Sequence, residues 1–271
     1  MNRYLIGILS FVSPKLVSNL AYKKLTNPQQ RKLRQHEEPF LQKADQSQIR
    51  FGEFKIQMYT WGNPKDERIL LIHGWEGQAG NFTDLIKKLI KENYYVIAFD
   101  GPSHGNSSKG ETSLVEFSHL VGRLIEEFKC KKLVSHSFGG VATTYALFHN
   151  QHLEIEKYVL LTTPDKFSQR LDDVAAYLGI NEKVKNIIIE QIEGEMEISV
   201  DQLSVSNFVP KIKVKKALII HDKNDRVVPI AQSKNVHQKW ADCEYIEVEG
   251  TGHFRILRTE EVIDTVVGFL N

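Results

Sequence analysis

Residues 132–140 read Lys-Leu-Val-Ser-His-Ser-Phe-Gly-Gly, and this stretch decides how the rest of the chain is interpreted. An apolar run of this kind predicts a buried strand, and here it stops at small residues that lead directly into a helical pattern. Ser137 stands at the junction. It is either a nucleophile held on a sharp turn or only a small residue where a strand meets a helix.

Short apolar runs alternate with helical patterns from Arg68 to the C-terminus. The predicted strands are 69–74, 94–100, 132–137, 158–163, 216–222 and 244–250. The predicted helices are 81–92, 113–129, 138–149, 230–240 and 260–270, the second of which begins with the capping-box pattern Ser113-x-x-Glu116. Such alternation predicts an α/β fold, with a mostly parallel central sheet flanked by helices. Ligands bind these sheets beyond the carboxyl ends of the strands, so the residues that follow each run matter most.

The chain is predicted to have three parts. They are a helical extension packed on the core (residues 1–48), the core itself (49–163 and 213–271), and a small helical cap inserted over the end of the sheet (164–212). The cap is predicted because its range holds helical patterns and no strand pattern. Within the core, residues 50–62 alternate with period two and predict a hairpin that turns near Gly52.

The N-terminal segment combines a basic residue, Arg3, with a short apolar run. Apolar side chains recur at steps of three and four, at Leu5, Ile8, Leu9, Val12, Leu16 and Leu20. This spacing predicts an amphipathic helix whose apolar face packs on the protein itself. The lysines that follow leave open a helix on a membrane surface or beside the path of the substrate, and a cleaved signal peptide is a further alternative. The run is too short to span a bilayer.

Charge and composition limit the partners that the chain is expected to have. Thirty-five Lys and Arg against thirty-four Asp and Glu give a formal net charge of +1, which gives no reason to expect nucleic acid as a partner. Cys130 and Cys243 stand in no metal or redox spacing, so two free thiols in the cytoplasm are expected, with membrane association left open. The sequence has no paired Cys/His cluster and no Walker-type phosphate loop, so neither a metal nor another cofactor is predicted.

Polar or glycine-rich residues follow the strands in a recognisable order. The motifs are His73-Gly74-Trp75, Asp100-Gly101-Pro102-Ser103-His104-Gly105, the stretch around Ser137, HDKNDRVVP (221–229) and GTGHFRIL (250–257). On these motifs the chain resembles the α/β-hydrolase superfamily from about Phe51 to the C-terminus, and within it the serine hydrolases of the carboxylesterase and lipase branch. The nucleophile elbow of that family, Gly-x-Ser-x-Gly, occurs here with Ser135 in place of the first glycine. Serine is small enough for the turn.

The resemblance assigns three catalytic roles, and each follows from what acyl transfer requires. A serine hydroxyl is a poor nucleophile, so Ser137 needs a base to take its proton. His253, in the loop after the last strand, is expected to be that base and later the acid that protonates the leaving group. A carboxylate must hold the other imidazole nitrogen, and Asp225 is expected in this role, with its neighbour Asp222 as the alternative. A turn or capping role is the other interpretation of Asp225.

The resemblance also implies an oxyanion hole made of two backbone N–H groups. Phe138 follows the nucleophile at a helix N-terminus and supplies one, and Trp75, after the first parallel strand, supplies the other. His73, His104 and His136 belong to loop and elbow motifs, and non-catalytic roles are expected for all three.

The predicted function is therefore a cofactor-independent serine hydrolase that cleaves a carboxylic ester or related acyl bond of a small-molecule substrate through an acyl-enzyme. A thioesterase, acyltransferase or C–C bond hydrolase with the same triad is the alternative, and a non-catalytic ligand-binding member of the fold is another. Serine at position 137 argues against the dehalogenases and epoxide hydrolases of the superfamily, which resemble this fold but carry aspartate at the elbow. The sequence leaves the oligomeric state open.

Overall fold

A computed structural model describes residues 3–29, 32–196 and 198–271. In this part of the chain eight strands form one sheet in the order β1-β2-β4-β3-β5-β6-β7-β8. The strands are β1 (Asp45–Phe51), β2 (Phe54–Trp61), β3 (Glu67–Ile72), β4 (Tyr94–Asp100), β5 (Lys132–His136), β6 (Ile155–Leu161), β7 (Val214–Asp222) and β8 (Cys243–Val248). β2 pairs antiparallel with β1 and with β4, and the remaining neighbours are parallel. The prediction of a mostly parallel α/β sheet is confirmed.

Helices cover both faces of this sheet. The longer ones are α1 (Arg3–Val12), α2 (Pro14–Thr26), α4 (Thr83–Lys91), α5 (Leu114–Glu127), α6 (Phe138–His149), α7 (Phe167–Leu178), α8 (Glu182–Met196), α10 (Ile230–Lys239) and α12 (Glu260–Leu270). The short ones are α3 (Glu37–Leu41), α9 (Val205–Phe208) and α11 (Gly252–Arg255), with 3-10 turns at Ala79–Phe82, Val209–Lys211 and Ile256–Arg258. Because side chains alternate along a strand, Leu70 packs with α5 and α6, whereas Leu71 packs with α4 and α12.

Several local predictions agree with the structure. The hairpin turns at Gly52, whose φ of 53° lies in the left-handed region that glycine adopts without strain. Ser113 caps α5 by accepting a hydrogen bond from the N–H of Glu116 at 3.3 Å. Cys130 and Cys243 are free and buried thiols. β1 begins at Asp45, so the sheet includes four residues of the range assigned to the N-terminal extension. The division of the chain into extension, core and cap stays a prediction.

The N-terminal segment differs from its prediction. It forms two helices, because Pro14 lacks the backbone N–H that would continue the first helix and is well suited to begin the second. The side chains that were expected to pack inward are mostly exposed, at Ile8, Val12, Leu16 and Leu20, while Leu9 is half-buried and the side chain of Leu5 lies outside the described residues. The predicted inward-facing stripe was therefore wrong.

A different side of the two helices is buried. Ile6, Val17 and Ala21 pack against Val184 and Ile188 of α8. Two buried serines also lie on α1 and α2, each hydrogen-bonded to a backbone carbonyl of its own helix. These helices therefore rest on α8, in the region between β6 and β7. None of the helices that the structure describes is long and apolar enough to cross a membrane.

Candidate active site

Ser137 sits at the turn between β5 and α6. Its φ of 52° and ψ of −123° are unusual for a residue with a side chain. Such strained backbone persists only where the surroundings hold it in place, and here neighbouring backbone packs tightly. A Cβ atom on Gly139 would lie 2.5 Å from the carbonyl oxygen of His73, and one on Gly140 would lie 2.1 Å from Oγ1 of Thr163. Positions 139 and 140 therefore require glycine, because a side chain at either one would collide with neighbouring residues.

Ser135 replaces the first glycine of the elbow motif, and the structure explains why it is tolerated. The residue lies on β5, fully buried, ahead of the strained turn. Its hydroxyl lies 3.0 Å from the hydroxyl of Tyr158 on the neighbouring strand and 3.4 Å from the carbonyl oxygen of Val159. A buried hydroxyl with these partners carries no unsatisfied polar group, so serine fits where glycine is usual.

His253 connects the serine to a carboxylate. Its Nε2 lies 3.0 Å from Oγ of Ser137, and its Nδ1 lies 2.8 Å from Oδ2 of Asp225. A carboxylate accepts hydrogen bonds, so Nδ1 carries the proton and Nε2 is left to accept one from the serine hydroxyl. Both His253 and Asp225 are buried. The three residues predicted from the sequence therefore form one continuous hydrogen-bonded relay.

The two aspartates after β7 hold different groups. Oδ1 of Asp225 accepts hydrogen bonds from the backbone N–H groups of Val227 at 2.7 Å and Val228 at 3.0 Å, which aims Oδ2 at His253. Burial by itself raises the pKa of Asp225, but the hydrogen bonds from His253 and from this backbone outweigh it and hold the pKa below its ordinary value. The carboxylate is thus ionised at neutral pH.

Asp222 instead holds the loop that carries the histidine. Its Oδ2 accepts hydrogen bonds from the N–H groups of Thr251 at 2.5 Å and Gly252 at 2.9 Å and from the Thr251 hydroxyl at 2.9 Å. Its Oδ1 accepts one from the N–H of Asn224 at 2.7 Å. In this arrangement Asp222 contacts the backbone beside His253, whereas Asp225 contacts the imidazole.

The loop after β3 packs directly on the elbow. A Cβ atom on Gly74 would lie 3.1 Å from Cβ of Ser137, so the backbone leading into Trp75 passes close to Ser137. Phe138 is the first residue of α6, and its N–H is one of those that have no acceptor within the helix. The rings of Trp75 and Phe138 are in edge contact at 5.1 Å. The two predicted oxyanion-hole residues therefore lie beside each other at Ser137.

His73 fixes the conformation of that loop. Nε2 accepts a hydrogen bond from the N–H of Gly101 at 2.8 Å, so the proton lies on Nδ1, which donates to the carbonyl oxygen of Gly74 at 2.7 Å. Burial lowers the pKa of His73 well below its ordinary value, which keeps this neutral tautomer in place. Asp100 holds the same loop farther along by accepting a hydrogen bond from the N–H of Ala79 at 2.8 Å.

His136, beside Ser137 in sequence, holds the loop that carries His253 from the other side. Its Nε2 lies 2.8 Å from the carbonyl oxygen of His253, a contact in which the imidazole donates. His221, which the sequence interpretation did not single out, lies with Nε2 3.5 Å from Oδ2 of Asp225 and 2.9 Å from the carbonyl oxygen of Val228. The only sequence signal for His221 is its place at the end of β7.

A cavity of about 630 Å³ opens over these residues. Ser137, His253, Trp75 and Phe138 line it at the sheet. Apolar side chains line much of its remaining wall: Phe167, Leu171, Val174 and Leu178 in α7, Ile192 in α8 and Leu25 in α2. Its size falls within the range of small-molecule sites. Within residues 3–29, 32–196 and 198–271, the structure has no cluster of three or more His, Cys, Asp or Glu side chains that could hold a metal ion.

Comparison with known proteins agrees with this fold. The model of the alpha/beta hydrolase family matches residues 69–190, which include the elbow. A human (Homo sapiens) serine hydrolase-like protein is 32% identical over 151 residues, which are 53% of this chain and 72% of that protein. The chain belongs to the alpha/beta hydrolase family.

Several other relatives are matched over less than half of their length. A mouse (Mus musculus) serine hydrolase-like protein is 30% identical over 45% of this chain, and the chain spans less than half, 41%, of the mouse protein. Among solved structures, a membrane phospholipase A described as a bacterial virulence factor has a TM-score of 0.66 and 17% identity, over 100% of this chain and 98% of that one. At this identity the structural likeness concerns the fold alone.

Proposed function

We propose that this chain is a serine hydrolase that cleaves a carboxylic ester with an apolar acyl group through a covalent acyl-enzyme on Ser137. The observation that carries the proposal is the relay from Ser137 Oγ to His253 to Asp225, with contacts of 3.0 Å and 2.8 Å, on the floor of a largely apolar cavity. The serine hydrolase-like relatives are consistent with it.

In the first half of the reaction, Oγ of Ser137 attacks the ester carbonyl carbon while Nε2 of His253 takes the hydroxyl proton. The charge that develops on the carbonyl oxygen is stabilised by the N–H groups of Phe138 and Trp75. Asp225 holds the Nδ1 proton and stabilises the imidazolium. The bond to the alcohol oxygen then breaks, and the alcohol leaves with the proton from Nε2.

In the second half, a water molecule takes the place of the alcohol. His253 removes a proton from this water as it attacks the acyl carbon, and the same two N–H groups stabilise the second oxyanion. The bond to Ser137 breaks, Nε2 returns its proton to Oγ, and the carboxylic acid is released. The net reaction consumes one ester and one water and needs no cofactor.

Labelling with a fluorophosphonate tests the nucleophile. The probe should modify the wild-type protein at Ser137, as located by mass spectrometry, and should not modify Ser137→Ala. The matched control is Ser135→Ala, which removes a buried hydroxyl two residues away and should leave labelling intact. Failure of the wild type to react would refute the proposal and favour a ligand-binding member of the fold.

A series of p-nitrophenyl esters tests the acyl group. If the acyl chain occupies the apolar cavity, kcat/KM should rise with chain length by about fourfold per methylene, the value expected for about 0.8 kcal/mol of buried hydrocarbon. Acyl-CoA thioesters of the same chain lengths serve as the comparison. Faster turnover of the thioesters than of the oxygen esters would contradict the ester assignment and favour a thioesterase with the same relay.

A further inference from the structure

The two N-terminal helices present an apolar face to solvent. We call it the docking face, and its members are Ile8, Phe11, Val12, Leu16 and Leu20, which are 63%, 79%, 77%, 53% and 49% exposed. On α1, Ile8 is three and four residues from Phe11 and Val12, and on α2, Leu16 is four residues from Leu20, so each set lies on one side of its helix. Exposed apolar residues that cluster in this way mark an interaction surface.

The sequence that carries this face is basic, although α8, on which the two helices rest, carries the exposed carboxylates Glu182, Glu190 and Glu195. Residues 1–36 contain seven Lys and Arg and no Asp or Glu, and the first acidic residue of the chain is Glu37. The whole chain has 35 Lys and Arg and 34 Asp and Glu, so residues 37–271 hold 28 basic and 34 acidic residues. On α2 the exposed Lys23 and Lys24 follow Leu20 by three and four residues, so they stand at the end of the apolar row. Exposed lysines thus accompany the exposed apolar side chains on α2.

The docking face adjoins the mouth of the catalytic cavity. α2 contributes Lys24 and Leu25 to the cavity lining, and Tyr177 of α7, which also lines the cavity, is 79% exposed. Ile8 and Phe11 of α1 line a second, open depression together with α7. Helix α7 therefore borders both the cavity and the docking face.

Exposed charges that line the cavity are mostly positive. The exposed basic residues are Lys24, Lys32, Lys166, Arg170 and Arg258. Among the acidic lining residues, Glu37 and Asp165 are buried, Glu76 is half-buried, and the exposed Glu195 accepts a hydrogen bond from the Tyr22 hydroxyl. A negatively charged surface would thus meet complementary charge at the cavity mouth as well as on α2.

We propose that the docking face binds an anionic lipid surface and brings the cavity mouth to it. The apolar side chains would enter the acyl boundary, while the lysines keep their ammonium groups among the headgroups. A second copy of the chain is a poorer occupant, because a contact between two copies through this face would bring two lysine-bearing surfaces together. The proposal concerns binding and does not rest on the proposed ester hydrolysis.

Vesicle sedimentation tests the lipid surface directly. The Ser137→Ala variant is used so that the protein does not hydrolyse the lipids. It is mixed with vesicles of phosphatidylcholine alone or of phosphatidylcholine with phosphatidylglycerol. The protein should sediment with the anionic vesicles, and added salt should weaken the binding because the lysine contacts are screened. Equal binding to both kinds of vesicle, or to neither, overturns the proposal.

Two variants separate the apolar and charged contributions. Replacing Phe11, Leu16 and Leu20 together with glutamine should weaken partitioning to anionic vesicles at least tenfold without lowering the unfolding midpoint, because these side chains are exposed. Replacing Lys15, Lys23 and Lys24 with glutamine should weaken it on the order of 100-fold, from about fivefold for each lysine.

The matched control removes three lysines elsewhere. Lys65, Lys91 and Lys239 are exposed and precede β3, β4 and β8, so they lie at the edge of the sheet opposite the site. Their joint replacement with glutamine has the same effect on net charge and should leave vesicle binding within twofold of the parent. If both lysine replacements weaken vesicle binding equally, the effect is one of net charge alone, and the assignment of the lipid-binding surface to the docking face is overturned. Light scattering tests whether a second copy covers the face. A concentration-dependent dimer that is lost when Phe11, Leu16 and Leu20 are replaced with glutamine would also overturn the proposal.

Discussion

Replacing Asp225 with asparagine tests the relay at its carboxylate, and the structure fixes how the new side chain must lie. Oδ1 accepts hydrogen bonds from two backbone N–H groups, Val227 at 2.7 Å and Val228 at 3.0 Å. An asparagine must therefore place its carbonyl oxygen there, because an NH₂ group would face two donors. The NH₂ group is then left pointing at Nδ1 of His253.

This orientation forces the wrong tautomer on the histidine. Nδ1 must accept a hydrogen bond from the asparagine, so the imidazole proton moves to Nε2 and faces the hydroxyl of Ser137. The base can then no longer take the serine proton. We expect kcat to fall on the order of 10⁴-fold, the loss seen when a triad aspartate is replaced in this way. This corresponds to about 5 kcal/mol of transition-state stabilisation.

The comparison is Asp222→Asn, measured with the same p-nitrophenyl ester and by urea unfolding. Both oxygens of Asp222 accept backbone N–H groups, so an NH₂ group on either side leaves donors unpaired and should lower the free energy of unfolding by about 1–3 kcal/mol. Its kcat should fall much less than that of Asp225→Asn. If Asp225→Asn keeps kcat within tenfold of wild type, or if Asp222→Asn loses more activity while still folded, the assignment of the carboxylate is wrong.

Three further predictions concern the elbow and its neighbours. Ser135→Gly should lower the free energy of unfolding by about 1–2 kcal/mol in urea titrations, since it removes the hydrogen bond to Tyr158 and loosens a strand, and should leave kcat within a few-fold of wild type. Gly140→Ala should lower the free energy of unfolding by about 1–3 kcal/mol and reduce kcat, because its Cβ would lie 2.1 Å from Oγ1 of Thr163. An unchanged midpoint of urea unfolding would mean that the turn has room for the methyl group. Burial lowers the pKa of His104 from 6.5 to about 4. As the pH falls from 6.5 to 4, the histidine is therefore protonated in the unfolded chain before it is protonated in the folded protein. This difference should lower the free energy of unfolding by about 3 kcal/mol. In His104→Asn, urea titrations at several pH values should show a correspondingly smaller drop.

The sheet and the elbow could be predicted because local patterns there agree with the tertiary structure. Buried parallel strands are continuous apolar runs, and the predicted 94–100 coincides with β4. Which aspartate reaches the imidazole could not be predicted with the same certainty. Asp222 and Asp225 are three residues apart after one strand, and only the path of the backbone at Val227 and Val228 separates their contacts.

The N-terminal helices show where periodicity gives the wrong answer. Spacing of apolar residues indicates one side of a helix, but it does not say whether that side meets the protein or solvent. On α1 and α2 the buried side uses small residues, including Ser10 and Ser18, whose hydroxyls are satisfied by carbonyls of their own helix. The buried side thus combines Ile6 and Val17 with small residues, and most of the larger apolar residues remain on the outside.

The position of α2 in the cavity wall has a consequence for engineering and for comparison between relatives. Leu25 and Tyr22 line the cavity from a segment that lies outside the matched residues 69–190, and Thr26 is tied to the core through a hydrogen bond from the N–H of Thr112. Shortening the chain at its start would therefore open one side of the cavity while leaving Ser137, His253 and Asp225 in place. Two members of this family with superimposable reaction centres can thus differ in the size of molecule they admit, through a part of the chain that takes no part in the chemistry.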